Sequence, residues 1–180
     1  TTLSNSGTIS AGANYAIANT GSIGTFTNTG SITPIGNTGI SNQGSITTFN
    51  NLQGKLGSNP VTFIKSLPTN YNVIVNSPDN DITSDYGQIE FSSFSGQTNT
   101  SLNFGVHSTS TLVADTTYSS VLSGLSSSNI TITLEKGHNS PSSLIGLTRY
   151  YWTLENSSGS LWDLKIADAV NITTDTNTSV

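Results

Sequence analysis

The stretch Asn5-Ser6-Gly7-Thr8-Ile9 returns as Asn28-Thr29-Gly30-Ser31-Ile32, and Asn19-Thr20-Gly21-Ser22-Ile23 returns as Asn42-Gln43-Gly44-Ser45-Ile46, each 23 residues later. Sliding one copy onto the other also matches Asn14 with Asn37, Ile17 with Ile40, Thr25 with Thr48 and Phe26 with Phe49. A fixed period of this length is the mark of a stacked repeat architecture. The Asn-x-Gly steps leave room only for short strands between corners, where Asn and Gly are expected to supply a left-handed backbone. A leucine-rich repeat needs Leu at close fixed intervals, which this unit lacks. The pattern therefore predicts an all-β chain built as a right-handed parallel β-helix with coils of about 23 residues. Ile9 over Ile32, Ile17 over Ile40, Ile23 over Ile46 and Phe26 over Phe49 would form inward apolar ladders. Asn5/Asn28, Asn14/Asn37 and Asn19/Asn42 would stack at the corners. One coil cannot bury its own face, so neighbours are obligatory.

Composition narrows the function classes. Among 180 residues, 33% are apolar and only 8% charged, against roughly 25% charged in an average globular chain. Ser, Thr, Asn, Ile, Val and aromatics suit sheet and turns, whereas helix bundles need Ala, Leu, Glu and Lys at helical spacing. Five Lys and Arg stand against ten Asp and Glu, for a net charge of −5, so a phosphate backbone finds no basic patch and nucleic acid is an unsuitable partner. No apolar run approaches the ~20 residues of a spanning helix. Zero Cys excludes a disulfide framework, a thiolate nucleophile and Cys-ligated zinc. A start at Thr1 with zero Met reads as a piece of something longer, with Thr1–Asn50 the tail end of a longer stack.

Past Asn51-Leu52-Gln53-Gly54 the repeat loses register, and Pro60 and Pro68 flank the apolar run Val61–Ile64. Longer alternating strands are expected at Tyr71–Val75, Gln88–Phe91, Ser101–Val106, Tyr118–Leu122 and Ile130–Leu134, a change of character from coil to sheet. A hairpin is expected from Tyr151–Glu155 through Asn156–Ser160 to Leu161–Ile166. Period-2 alternation puts Trp152 and Leu154 on one face, and Trp162, Leu164 and Ile166 on one face of the return strand, with Asp163 and Lys165 pointing away. The tail beyond Ala167 is polar and expected to fray. The expected division is coils over 1–60, a β-rich core with its hairpin cap over 61–166, and a polar tail over 167–180.

The Asn-x-Gly-Thr/Ser-Ile repeats, Asp85-Tyr86-Gly87-Gln88-Ile89, Thr117-Tyr118-Ser119-Ser120-Val121-Leu122 and the Trp152-x-Leu154 … Gly159-x-x-Trp162-x-Leu164 hairpin together resemble the C-terminal end of an autotransporter (type V secretion) passenger domain. In that family a parallel β-helix is exported through the outer membrane of a Gram-negative cell by a C-terminal β-barrel, and the chain given has no barrel or linker helix. The resemblance covers about Ser4 to Ala167. It implies that Val61–Ile166 acts as an autochaperone-like stable core that templates the coils behind it, in transient contact with the export barrel. It also implies a location at the bacterial surface or in the extracellular medium.

Motifs for chemistry are sparse. His107 and His138 are the only histidines, and with Ser this abundant a neighbouring Ser carries no information about a triad; no Gly-x-Ser-x-Gly elbow is present. Asp79, Asp81 and Asp85 form the one acidic cluster, but it lacks the Gly and the terminal Glu of a calcium loop and reads as a solvated turn. No phosphate-cradling Gly-x-x-x-x-Gly-Lys motif occurs. Thr25 over Thr48 and Thr8 over Ser31 would stack, yet Thr-x-Thr does not recur once per coil, as a flat ice-ordering array would need. The Asp175–Ser179 stretch satisfies a glycosylation sequon, as expected by accident in so Asn- and Thr-rich a chain.

The expectation is therefore a non-enzymatic passenger segment without cofactor, catalytic or metal site. It would act in adhesion or self-association, with a host-cell surface protein or glycan, or a neighbouring passenger, as partner. The alternative is a released virulence effector that binds a host receptor. The residues that would contact a ligand are not assigned by any short motif.

Overall fold

The structure is a computed structural model, and it describes all residues except 13, 35–37, 55–58, 78–84, 94–99, 127–129, 135, 138–139 and 173–180. Seven strands fill the repeat region: β1 (Thr2–Asn5), β2 (Thr8–Ala11), β3 (Tyr15–Asn19), β4 (Ser22–Asn28), β5 (Ser31–Pro34), β6 (Thr38–Asn42) and β7 (Ser45–Asn51). There follow β8 (Val61–Lys65), β9 (Asn70–Val73), β10 (Val75–Asn76), β11 (Asp85–Tyr86), β12 (Ile89–Ser93), β13 (Thr100–Val106), β14 (Thr117–Ser123) and β15 (Ile130–Leu134). The chain closes with β16 (Lys136–Gly137), β17 (Ser140–Ile145), β18 (Thr148–Ser158) and β19 (Leu161–Asn171). The fold is all-β.

Two long sheets face each other across one core. The first runs β1-β4-β7-β9-β13-β15 and is parallel throughout. The second runs β3-β6-β8-β12-β14 in parallel and then continues antiparallel through β19, β18, β17 and β16. β2 and β5 make a two-stranded parallel sheet, and β10 pairs antiparallel with β11. The expected registers hold: Ile9 pairs with Ile32, Ile17 with Ile40, Ile23 with Ile46 and Phe26 with Phe49. Asn37 of the Asn14/Asn37 corner lies outside the described residues.

The corners explain why Asn and Gly recur. Asn5 Nδ2 donates to Asn28 Oδ1 at 2.8 Å, Asn28 Nδ2 to Asn51 Oδ1 at 2.9 Å, and Asn19 Nδ2 to Asn42 Oδ1 at 2.7 Å. Asn5, Asn19 and Asn51 also accept the N–H two residues on, from Gly7, Gly21 and Gln53, at 3.2 Å. Burial of these amides is thereby offset by hydrogen bonds, as buried polar groups require. The glycines do a different job from the one expected: none of Gly7, Gly21, Gly30 and Gly44 has a left-handed backbone. Gly30 and Gly44 are needed because a Cβ there would be driven into the carbonyl oxygens of Gly7 and Gly21 in the preceding repeat.

The break at residues 51–60 is not a change of sheet, contrary to the expected switch from coil to sheet. β8 lays Phe63 beside Ile40, and β9 lays Tyr71 beside Phe49, so both parallel stacks run on. The third sheet does end there, and Gln53 ends it. Its buried side-chain amide takes the place of a strand, Ile32 N donating to Oε1 at 2.7 Å and Nε2 donating to Ile32 O at 3.1 Å.

An aromatic column threads the core: Phe26–Phe49–Tyr71–Phe104–Trp152, with neighbouring ring centroids 5.0 to 6.0 Å apart. Each buried ring contributes on the order of 2–3 kcal/mol by removal from water, with about 0.5–1.5 kcal/mol more per aromatic pair. Trp152 ends the column edge-on to Phe104 and donates from Nε1 to Ser143 Oγ at 3.2 Å. Trp162 is only half-buried and donates to Leu125 O at 2.8 Å.

The hairpin is longer than expected. β18 continues through Asn156–Ser158 to a turn at Gly159-Ser160, and β19 runs past Ala167 to Asn171 instead of fraying, because Thr148–Tyr151 pair with it. β16 pairs antiparallel with the start of β17, Lys136 opposite Pro141. Asp163 faces away from Leu164 as expected, yet its Oδ1 accepts from Ser120 N at 2.6 Å, where Ser120 sits at φ 54°.

Candidate functional site

The candidate site is the outer face of the first sheet. Its six strands contain no charged residue. Inward aromatics are flanked by outward polar side chains in a recurring triplet, Thr25-Phe26-Thr27, Thr48-Phe49-Asn50 and Asn70-Tyr71-Asn72, and Phe104 is flanked by Asn103 on one side and Gly105 on the other. Because the strands pair in register, the flanking residues line up as two ladders. One is Thr2, Thr25, Thr48, Asn70, Asn103 and Thr133; the other is Ser4, Thr27, Asn50, Asn72 and Gly105. Rungs are about 4.8 Å apart, the strand spacing of any sheet.

Hydrogen bonds along the ladders all run one way. Asn103 Nδ2 donates to Asn70 Oδ1 at 2.9 Å, and Asn70 Nδ2 to Thr48 Oγ1 at 3.3 Å and Thr47 O at 3.0 Å. On the second ladder Asn72 Nδ2 donates to Asn50 Oδ1 at 2.9 Å, and Asn50 Nδ2 to Thr27 Oγ1 at 3.1 Å. These bonds fix the amide orientations. Both strings end at one place, where Asn72 Oδ1 and Asn103 Oδ1 receive no hydrogen bond from any described residue. There Gly105 contributes no side chain, and the gap opens into a groove of about 470 Å³ lined by Thr48, Asn70, Asn72, Asn103, Gly105, Thr133, Phe104 and Leu134.

Of the groups weighed for catalysis, His107 and Asp85 lie among the described residues. His107 is half-buried after β13, with its Nδ1 2.8 Å from the Thr109 hydroxyl and 3.3 Å from Thr109 N. Burial holds its imidazole below the usual range. The ring anchors a turn. His138, Asp79 and Asp81 lie outside the described residues, while Asp85 is half-buried on β11 opposite Asn76. Among the described residues no group of three His, Cys, Asp or Glu is placed to hold a metal ion. Thr25 and Thr48 stack as expected, as do Thr8 and Ser31.

Asn70, Asn72 and Asn103 escaped the repeat reading because the period slips to 22 residues between Asn50 and Asn72 and stretches to 33 between Asn70 and Asn103. The polar-aromatic-polar triplet, which keeps its form when the spacing does not, is the signal that marks them. No protein-family model, curated protein or solved structure matches this chain.

Proposed function

We propose that this chain is a non-enzymatic binding segment of a bacterial surface or secreted protein, a right-handed parallel β-helix of the autotransporter-passenger kind. It works in attachment or self-association through the outer face of the first sheet. The observation that carries this reading is the uncharged double ladder of amides and hydroxyls, continuous over the stacked strands and pre-oriented by its own hydrogen bonds. Such a face presents donors and acceptors at regular spacing at little ordering cost, and it sets no like charges against each other when two copies meet. The fold gives no comparable support to the released-effector alternative.

The C-terminal hairpin acts in this reading as the folding cap. Trp152 closes the aromatic column, and the hairpin of β18 and β19, pairing through β19 with β14, changes the second sheet from parallel to antiparallel, so that coils stack onto a finished end. Stacking energy between neighbouring repeats is local and propagates from whichever end is most stable.

The test is clumping of cells that display the chain, and sedimentation of the soluble chain, for wild type and a Thr25→Lys/Asn103→Lys double variant. Both positions lie on the outer ladder, so the added charges repel across copies without entering the core. Clumping and concentration-dependent sedimentation should disappear while the far-ultraviolet circular dichroism stays unchanged. Association that persists in the double variant would remove this face from the mechanism.

A further inference from the structure

Resting on the reading of this sheet face as the binding face, we propose that the groove at Gly105 is a site for a neutral oligosaccharide. Three observations lead there. The two amide strings terminate side by side at the groove, leaving Asn72 Oδ1 and Asn103 Oδ1 as acceptors free of any described donor. The amide nitrogens of Asn72 and Asn103 each have a second hydrogen beyond the one spent along the ladder, so these two residues each offer both a donor and an acceptor. A sugar hydroxyl likewise donates and accepts, and two adjacent hydroxyls meet two adjacent amides with every group paired.

Size and charge agree. The groove, about 470 Å³, falls within the roughly 300–1,000 Å³ of small-ligand sites and admits a short oligosaccharide. Rung spacing of about 4.8 Å is close to the advance of one sugar ring along an extended glycan, so successive rings can meet successive rungs. Leu134, half-buried at the rim, gives the C–H face of a ring an apolar neighbour. No described lining residue is charged, and the chain carries a net charge of −5. Sulfated or uronic-acid glycans therefore meet no cation here and a repulsive overall field, which selects neutral sugars.

The experiment is titration calorimetry of the full 180-residue chain with three neutral hexasaccharides (linked glucose in the α-1,4 form, linked glucose in the β-1,4 form, and linked mannose) and with a heparin hexasaccharide. At least one neutral hexasaccharide should bind and heparin should not. Asn103→Ala should weaken that binding about tenfold by removing one amide's hydrogen bonds. Thr133→Trp fills the groove from the exposed edge strand, beside Asn103 and without removing either amide, and it should abolish binding. Thr25→Lys lies on the same face one rung beyond groove-lining Thr48, at the end away from Asn72 and Asn103, and should leave sugar binding intact while weakening self-association.

Failure of all three neutral sugars to bind, equal binding of heparin, or binding indifferent to both groove variants overturns the proposal. If self-association is meanwhile intact and sensitive to Thr25→Lys, the face reading stands and only the sugar assignment falls.

Discussion

Gly21 and Gly44 occupy the same place in successive repeats, yet adding one methyl group to each should have opposite consequences. At Gly44 a Cβ would be driven into the backbone carbonyl of Gly21, and that oxygen is the acceptor for Ser45 N at 2.9 Å. A backbone atom cannot rotate out of the way as a side chain does. Relief requires the two repeats to part, which strains the pairing of β4 with β7 and the Gly44 N donation to Asn19 O at 3.0 Å. Overpacking costs about 1–3 kcal/mol and a weakened hydrogen bond about 0.5–1.5 kcal/mol, so Gly44→Ala should destabilise the first coils by about 2–4 kcal/mol. At Gly21 a Cβ meets nothing within 4 Å, and the backbone there is not left-handed. Gly21→Ala should be neutral or stabilising by up to about 1 kcal/mol, through the lower entropy of the unfolded chain. Hydrogen exchange read by mass spectrometry on the two variants separates the cases. Protection over residues 1–34 should fall in Gly44→Ala while residues 140–172 keep theirs, because stacking energy is local. Equal responses of the two variants, or simultaneous loss of protection along the whole chain, would refute the close-approach argument.

Trp152→Ala should destabilise the chain by about 3–5 kcal/mol, since Trp152 is 1% exposed and ends the aromatic column; half-buried Trp162 should cost visibly less when replaced by Ala, and equal shifts of the urea midpoint would argue against the column as the core. Gln53→Leu leaves Ile32 N without its acceptor and Ile32 O without its donor, so a loss of about 2–4 kcal/mol is expected from the two orphaned groups, read as a lower denaturation midpoint; an unchanged midpoint would mean the amide does not replace a strand. Burial pushes the Tyr71 phenol far above its ordinary value and raises that of Tyr86 as well. Raised folded-state values mean that the contribution of these groups is whole below pH 10 and is lost as pH climbs further, so alkaline titration followed at 295 nm should show late-ionising tyrosines whose absorbance steps coincide with unfolding. A single early step for all six tyrosines would refute that.

The outer ladders and the aromatic column lie in the same triplets, which is why one was legible and the other only in part. Where the period is constant, as from Asn5 to Asn28 and from Thr25 to Thr48, matching residues in the sequence are matching residues in space. Once connections lengthen between β9 and β13, the strand still stacks, because a parallel sheet constrains the pairing of strands and not the length of the path between them. Asn70 and Asn103 are thus neighbours that no fixed offset predicts.

The sequence by itself determined the β architecture, the register of the first two repeats and the stacking of the corner Asn residues, because each follows from residue type at a regular spacing. Only the tertiary structure decided that the corner glycines serve close approach, that Gln53 finishes the third sheet, that the hairpin extends to Asn171, and that two amide strings end together at Gly105. Those features depend on which atoms of distant coils come within a few ångströms of each other, and that distance is set by packing around the core and not by any local pattern of residues.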